Sequence, residues 1–206
     1  MINKFNGYEE TQAANSMGGE FQKLPAGGYE AEVKNVRIGQ NSDGSQRLEI
    51  LVDIIEGEFK GYFKQQFDNS NFEDKKYKGI VRYSIPQDNG TEKDNYKKRF
   101  FKGMIKSFEE SNSGYKWNWN EQSLKGLKIG IYVREKEWDY NGKHGFSPEI
   151  FSVGDIHVIQ RGEFEIPKPK YLNGSAPSSS VSASTVPQPS APAADFSAAE
   201  NDDYPF

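Results

Sequence analysis

Leu127-Lys128-Ile129-Gly130-Ile131-Tyr132-Val133-Arg134-Glu135-Lys136-Glu137-Trp138-Asp139-Tyr140-Asn141-Gly142 is the stretch on which the fold turns. Leu127, Ile129, Ile131 and Val133 alternate with Lys128, Gly130, Tyr132 and Arg134. That two-residue period belongs to a strand with one face in a core and the other in water. The polar series runs on through Lys136 and Trp138. Asn141-Gly142 then offers two residues that accept positive φ, the chemistry of a tight hairpin. A return strand is expected over 143–153, with Pro148 marking an edge or a bulge.

Working outward, residues 92–111 read as a helix. Tyr96, Phe100, Phe101, Met104, Ile105 and Phe108 fall on one arc, with Lys98, Arg99, Lys102 and Lys106 opposite. Thr91 is placed to cap it, with acids in the first turn. Three strands are expected before the helix. In the first, Tyr29, Ala31 and Val33 share a face and Val36 and Ile38 follow in shifted phase, which predicts a bulge. The second, 48–55, is apolar on both faces apart from Glu49 and Asp53, as in a central strand. In the third, 60–67, Phe63 and Phe67 point one way and Lys60, Tyr62, Lys64 and Gln66 the other. Residues 68–78 read as a lysine-rich loop, and 80–85 as a short strand stopped by Pro86.

Three strands, a helix between strands 3 and 4, then a hairpin is the element order of an OB-fold. The expectation is an all-β protein with one helix, a five-stranded Greek-key barrel followed by a disordered tail. A mixed α+β sheet of another topology is the alternative. The divisions are a flexible N-terminal arm (1–24), the OB-like domain (25–172), a Ser/Ala/Pro linker (173–194) and an acidic tip (195–206). From 174 to 194, 16 of 21 residues are Ser, Ala or Pro, too little apolar surface to offset ordering entropy. Such a segment spans about 30 Å r.m.s., enough to clear the body.

Charge divides along the same line. The 206 residues carry a net charge of −4, but no lysine or arginine follows Leu172, while Asp195, Glu200, Asp202 and Asp203 do. The body is thus neutral, with a basic sector between Lys75 and Lys106. Local patches rather than totals decide phosphate binding. The absence of cysteine excludes disulfides and thiolate metal sites and fits a reducing cytosol. No apolar run reaches the roughly 18 residues of a membrane helix, and the N-terminus lacks the apolar core of a signal peptide.

Nothing nominates an enzyme or a cofactor. The two histidines, His144 and His157, have no zinc-site spacing, and no phosphate loop, dinucleotide fingerprint or nucleophile elbow occurs. The better constellation is basic and aromatic alternation: Lys60, Tyr62 and Lys64 on the third strand, and Tyr132, Arg134, Lys136 and Trp138 on the fourth. Single-stranded DNA offers phosphates to cations and bare bases to flat rings, each stacked base being worth about 1–3 kcal/mol. Loops 39–45 and 139–143, the latter with Tyr140 and Lys143, would wall the groove. Lys75, Lys76, Lys78 and Arg82 are phosphate candidates. Of Trp117 and Trp119, one ring is expected to cap the barrel and the other to stack. Any wet antiparallel face carries Lys, Arg and Tyr, so the set counts for more than its members.

The ending Asp202-Asp203-Tyr204-Pro205-Phe206 resembles the acidic tail tip of bacterial and phage single-stranded DNA-binding proteins. The resemblance implies that Asp202, Asp203 and Phe206 dock replication and repair partners, the ring in a pocket and the α-carboxylate on a basic rim. Tyr204 stands where an aliphatic residue is usual. Phe21-Gln22-Lys23-Leu24-Pro25-Ala26-Gly27-Gly28-Tyr29 and Leu124-Lys125-Gly126-Leu127-Lys128-Ile129-Gly130 resemble a phage-encoded family of Gram-positive hosts associated with recombination and replication. Together these imply a non-catalytic phage or prophage protein of the bacterial host cytoplasm. Its expected partners are single-stranded DNA and, through the tip, replication and recombination proteins; homo-oligomerisation is left open. The alternatives are a protein-binding adaptor and a strand-annealing or recombination accessory factor.

Overall fold

A computed structural model of the chain describes residues 22–71 and 73–172. The N-terminal arm up to Phe21, the linker and the whole acidic tip lie outside the described residues. The body is mostly β: five strands, β1 (Gly27–Gln40), β2 (Gln46–Ile54), β3 (Ile80–Ser84), β4 (Lys128–Tyr140) and β5 (Lys143–Gly154), form one antiparallel sheet in the order β3-β2-β1-β4-β5. Three α-helices accompany them, α1 (Tyr62–Asp68), α2 (Glu92–Ser111) and α3 (Ile156–Arg161), with a short 3-10 helix at Glu121–Leu124.

The decisive hairpin forms as its period requires. Ile129, Ile131 and Val133 are fully buried, and β4 pairs with β5 from Gly130↔Gly154 to Tyr140↔Lys143. Asn141 and Gly142 both take positive φ, as the two-residue turn demands. The phase shift in β1 is a register shift between Val33 and Asn35, so Val36 returns to the core. Helix α2 begins at the expected cap, Thr91 Oγ1 accepting the Asp94 N–H at 3.2 Å. Met104, Ile105 and Phe108 bury its C-terminal half against the sheet. In its N-terminal half Asp94 is buried, accepting the Gln87 N–H at 2.7 Å, and the Tyr96 and Phe100 rings meet at 4.3 Å in a tilted pair.

Two expectations are corrected. Residues 60–67 are not a strand: they enter and form α1, and the third strand is Ile80–Ser84. The cause lies outside the segment. Asp53 on β2 is buried, and its carboxylate accepts the N–H groups of Phe63 (3.0 Å) and Lys64 (3.3 Å) at the start of α1. These are orphan donors of a helix N-terminus, satisfied by a side chain from another element. Phe63 and Phe67, four residues apart, share a helical face. The protein therefore has more than one helix, and Lys60, Tyr62 and Lys64 do not share a strand face.

The sheet, secondly, is open. No hydrogen-bonded ladder joins β3 to β5 among the described residues. The two edge strands instead meet through a side chain, the Val153 N–H donating to Tyr83 Oη at 3.2 Å. The five residues of β3 pair with β2. Burial raises the Tyr83 hydroxyl pKa to about 12, although the bond from Val153 works against the rise.

Two further contacts shape the outer surface. Beyond the reach of β4, β1 is lined by the chain leading into β4: Val33 N–H donates to Leu127 O and Gly126 N–H to Val33 O, both 2.9 Å, and Gln122 Nε2 donates to Val36 O at 3.1 Å. After β5 the chain packs α3 over Gly28 and Gly130, where a Cβ would lie 2.6–2.7 Å from the Ile159 side chain. It then bonds to β4 through Lys170, which donates to Glu135 O and accepts from Glu137 N–H, both 2.8 Å.

Candidate nucleic-acid interface

Glu49 sits on β2 between Leu48 and Ile50, whose side chains fill the core, so it faces outward. It is nevertheless only 2% exposed, because arginines from three strands cover it. Register brings two of them: Glu49 stands opposite Arg37 on β1 and opposite Arg82 on β3. The third, Arg47, lies two residues along β2 and so on the same face. Arg37 Nε donates to Glu49 Oε2 at 2.5 Å; Arg47 Nε and Arg82 Nε donate to Oε1 at 2.8 and 3.1 Å. Burial alone would raise the Glu49 pKa, but the hydrogen bonds from Arg47, Arg37 and Arg82 outweigh it and pull the carboxyl down to about 2. The group is a carboxylate at any physiological pH.

All three arginines engage Glu49 through Nε. One terminal nitrogen of Arg47 also donates to Asn41 Oδ1 at 3.3 Å. Three guanidinium charges against one carboxylate leave two net positive charges, carried by planar groups whose donor geometry suits phosphate. Arg37 is 59% exposed and Arg82 33%. Asn41 also donates to Ser45 Oγ at 2.9 Å, tying the cluster to the β1–β2 turn.

The hairpin carries a second basic and aromatic surface. Tyr132, Arg134, Lys136, Trp138 and Tyr140 alternate along β4 opposite Ser152, Glu149, Ser147, Gly145 and Lys143, as the sequence period requires. The side chains differ in freedom. Tyr132 is half-buried against Phe164 at 5.7 Å and over Gly154, so it is a packing residue. Arg134 is committed to Glu149 at 2.9 Å and lies over the Phe151 ring at 4.6 Å. Lys136 shares Glu149 at 2.9 Å but is 44% exposed. The Trp138 indole lies across Gly145, whose added Cβ would meet the ring at 3.0 Å, and keeps 39% exposure. Tyr140 and Lys143 are exposed at the tip.

The remaining sequence candidates are dispersed. Tyr62 is buried, its hydroxyl accepting the Leu24 N–H at 3.3 Å, and presents no stacking surface. Lys64 is exposed on α1 and paired with Asp68, and Lys60 is exposed just before that helix. Lys75, Lys76 and Lys78 are exposed on the loop before β3, Lys75 over the Phe67 ring at 4.8 Å. Trp117 is half-buried beside Phe101, and Trp119 is 83% exposed with φ of 65°. An apolar side chain held in the left-handed region and in water is an unusual display. Asp202, Asp203, Tyr204, Pro205 and Phe206 lie outside the described residues.

Arg37, Arg47 and Glu49 were not among the sequence candidates. A signal was present: an acid interrupts an apolar central strand, and arginines lie on strand segments before and after it. Among the described residues no group of three His, Asp or Glu side chains is placed to hold a metal ion. No helix there is long and apolar enough to cross a membrane.

A family model described as a protein of unknown function (DUF669) matches residues 10–84. The matched stretch includes β1 to β3 and hence Arg37, Arg47, Glu49 and Arg82. No curated protein matches the chain.

Proposed function

We propose that the protein binds single-stranded DNA without strong sequence preference. The observation that carries the reading is the cluster of Arg37, Arg47 and Arg82 around Glu49, in which the Arg37 and Arg82 side chains remain accessible to water. A phosphodiester backbone offers matching acceptors at every step. The exposed rings of Trp138 and Tyr140 on the hairpin supply stacking surfaces that suit unpaired bases. Sheet order and the helix between β3 and β4 support an OB-like topology, with β3 and β5 meeting at Tyr83 rather than through a ladder.

In this reading the protein works in phage DNA replication or recombination in the bacterial cytoplasm, and Asp202, Asp203 and Phe206 recruit partners. The supports for that part are the tail's composition and its resemblance to known tips. Anisotropy of a labelled dT oligomer against salt tests the interface. Binding should fall steeply with salt, and Arg82→Ala should reduce the slope of log K against log salt by about 1. A salt-independent affinity, or a slope that Arg82→Ala leaves untouched, would remove the cluster from the interface.

A further inference from the structure

A surface built to attract phosphate gains, on simple charge counting, from losing a carboxylate. The geometry at Glu49 points the other way. Arginine side chains are long and lose considerable rotamer freedom when a ligand fixes them, a cost that weakens binding. Here one carboxylate has already fixed three of them. Each guanidinium is gripped at Nε, the atom nearest its own backbone, while the Arg37 and Arg82 side chains keep 59% and 33% of their surface in water. The grip is shared among three strands whose register is itself fixed by the sheet. Arg47 is held at a second point by Asn41.

We propose that Glu49 is a positioning residue for phosphate recognition: it orders Arg37, Arg47 and Arg82 so that two phosphodiester groups of a single strand meet preformed donor edges. The inference rests on the single-stranded DNA reading for its ligand but not for its mechanism, which holds for any flexible polyphosphate. Two net positive charges spread over three adjacent strands, which lie about 4.8 Å apart, match two separate monoanionic phosphodiesters better than one compact dianion. Glutamine at this position cannot serve all three donors, because one end of its amide is itself a donor.

The test compares wild type, Glu49→Gln and Arg37→Lys for binding of a dT oligomer and of inorganic polyphosphate, both by calorimetry at fixed salt. Glu49→Gln should weaken both by about five- to tenfold despite the extra positive charge, the range expected for re-imposing side-chain ordering. Wild-type spectra should show three arginine Nε–H signals that exchange slowly, and the variant should lose at least one of them. Arg37→Lys keeps the charge at a largely exposed position, so it folds even where Glu49→Gln does not. It should weaken binding too, because lysine cannot hold Glu49 and present a second edge. Tighter or unchanged binding by a folded Glu49→Gln protein, or full affinity in Arg37→Lys, overturns the proposal. Wild-type binding of polyphosphate but not of the dT oligomer would overturn the DNA reading and leave the positioning role to be decided on polyphosphate. Failure to bind either overturns both.

Discussion

Glu49 concentrates the residue-scale physics of this protein. Its folded pKa of about 2 lies below the unfolded value near 4.5. Its contribution to stability is therefore complete above pH 4.5 and disappears as pH falls through 2. A shift of that size corresponds to on the order of 3 kcal/mol. Urea midpoints measured from pH 6 down to pH 2 should fall in wild type, and that part of the fall should be missing in Glu49→Gln. An equal acid slope in both proteins would show that Glu49 is not held as described. Tyr62→Phe tests a different kind of contact: losing the acceptor for the buried Leu24 N–H should cost about 1–3 kcal/mol in urea unfolding.

Helix α1 shows at the scale of elements why part of the fold was legible and part was not. The β4–β5 hairpin and α2 carry their own instructions: alternation plus Asn141-Gly142 in one case, an apolar arc plus the Thr91 cap in the other. Each is decided by residues within the element itself. The segment 60–67 carries an ambiguous one, since its alternating lysines and its Phe63–Phe67 spacing suit a strand and a helix alike. The group that decides it is Asp53, on another strand and visible in the sequence only as an acid out of place. Asp53→Ala should strand the Phe63 and Lys64 N–H groups and cost about 1–3 kcal/mol, read as a lower urea midpoint with reduced amide protection confined first to α1. Unchanged protection in α1 would contradict the capping role. The candidate site divides in the same way. Arg134, Lys136 and Trp138 were legible because one strand sets their face. The Arg37, Arg47 and Arg82 cluster was not, because it exists only in the register of three strands.

Across the whole molecule the charges are arranged in opposition: a body with outward guanidinium groups on β1 to β3, and a C-terminal stretch with four acids and no base. The chain leaves the described body beside the hairpin, where Lys170 bonds to β4. Deleting 195–206 should therefore tighten DNA binding at low salt, an effect that salt erases, while Phe206→Ala should leave DNA affinity unchanged. Equal affinity of full-length and deleted protein at low salt would rule out competition by the tail. The central claim, that the body takes up single strands, is tested most directly by tryptophan fluorescence during titration with poly-dT and with a matched duplex. The exposed indoles of Trp119 and Trp138 provide the signal. Strong saturable quenching by poly-dT at micromolar protein, with little response to duplex, is the predicted result; no response to poly-dT, or an equal response to both, would contradict it.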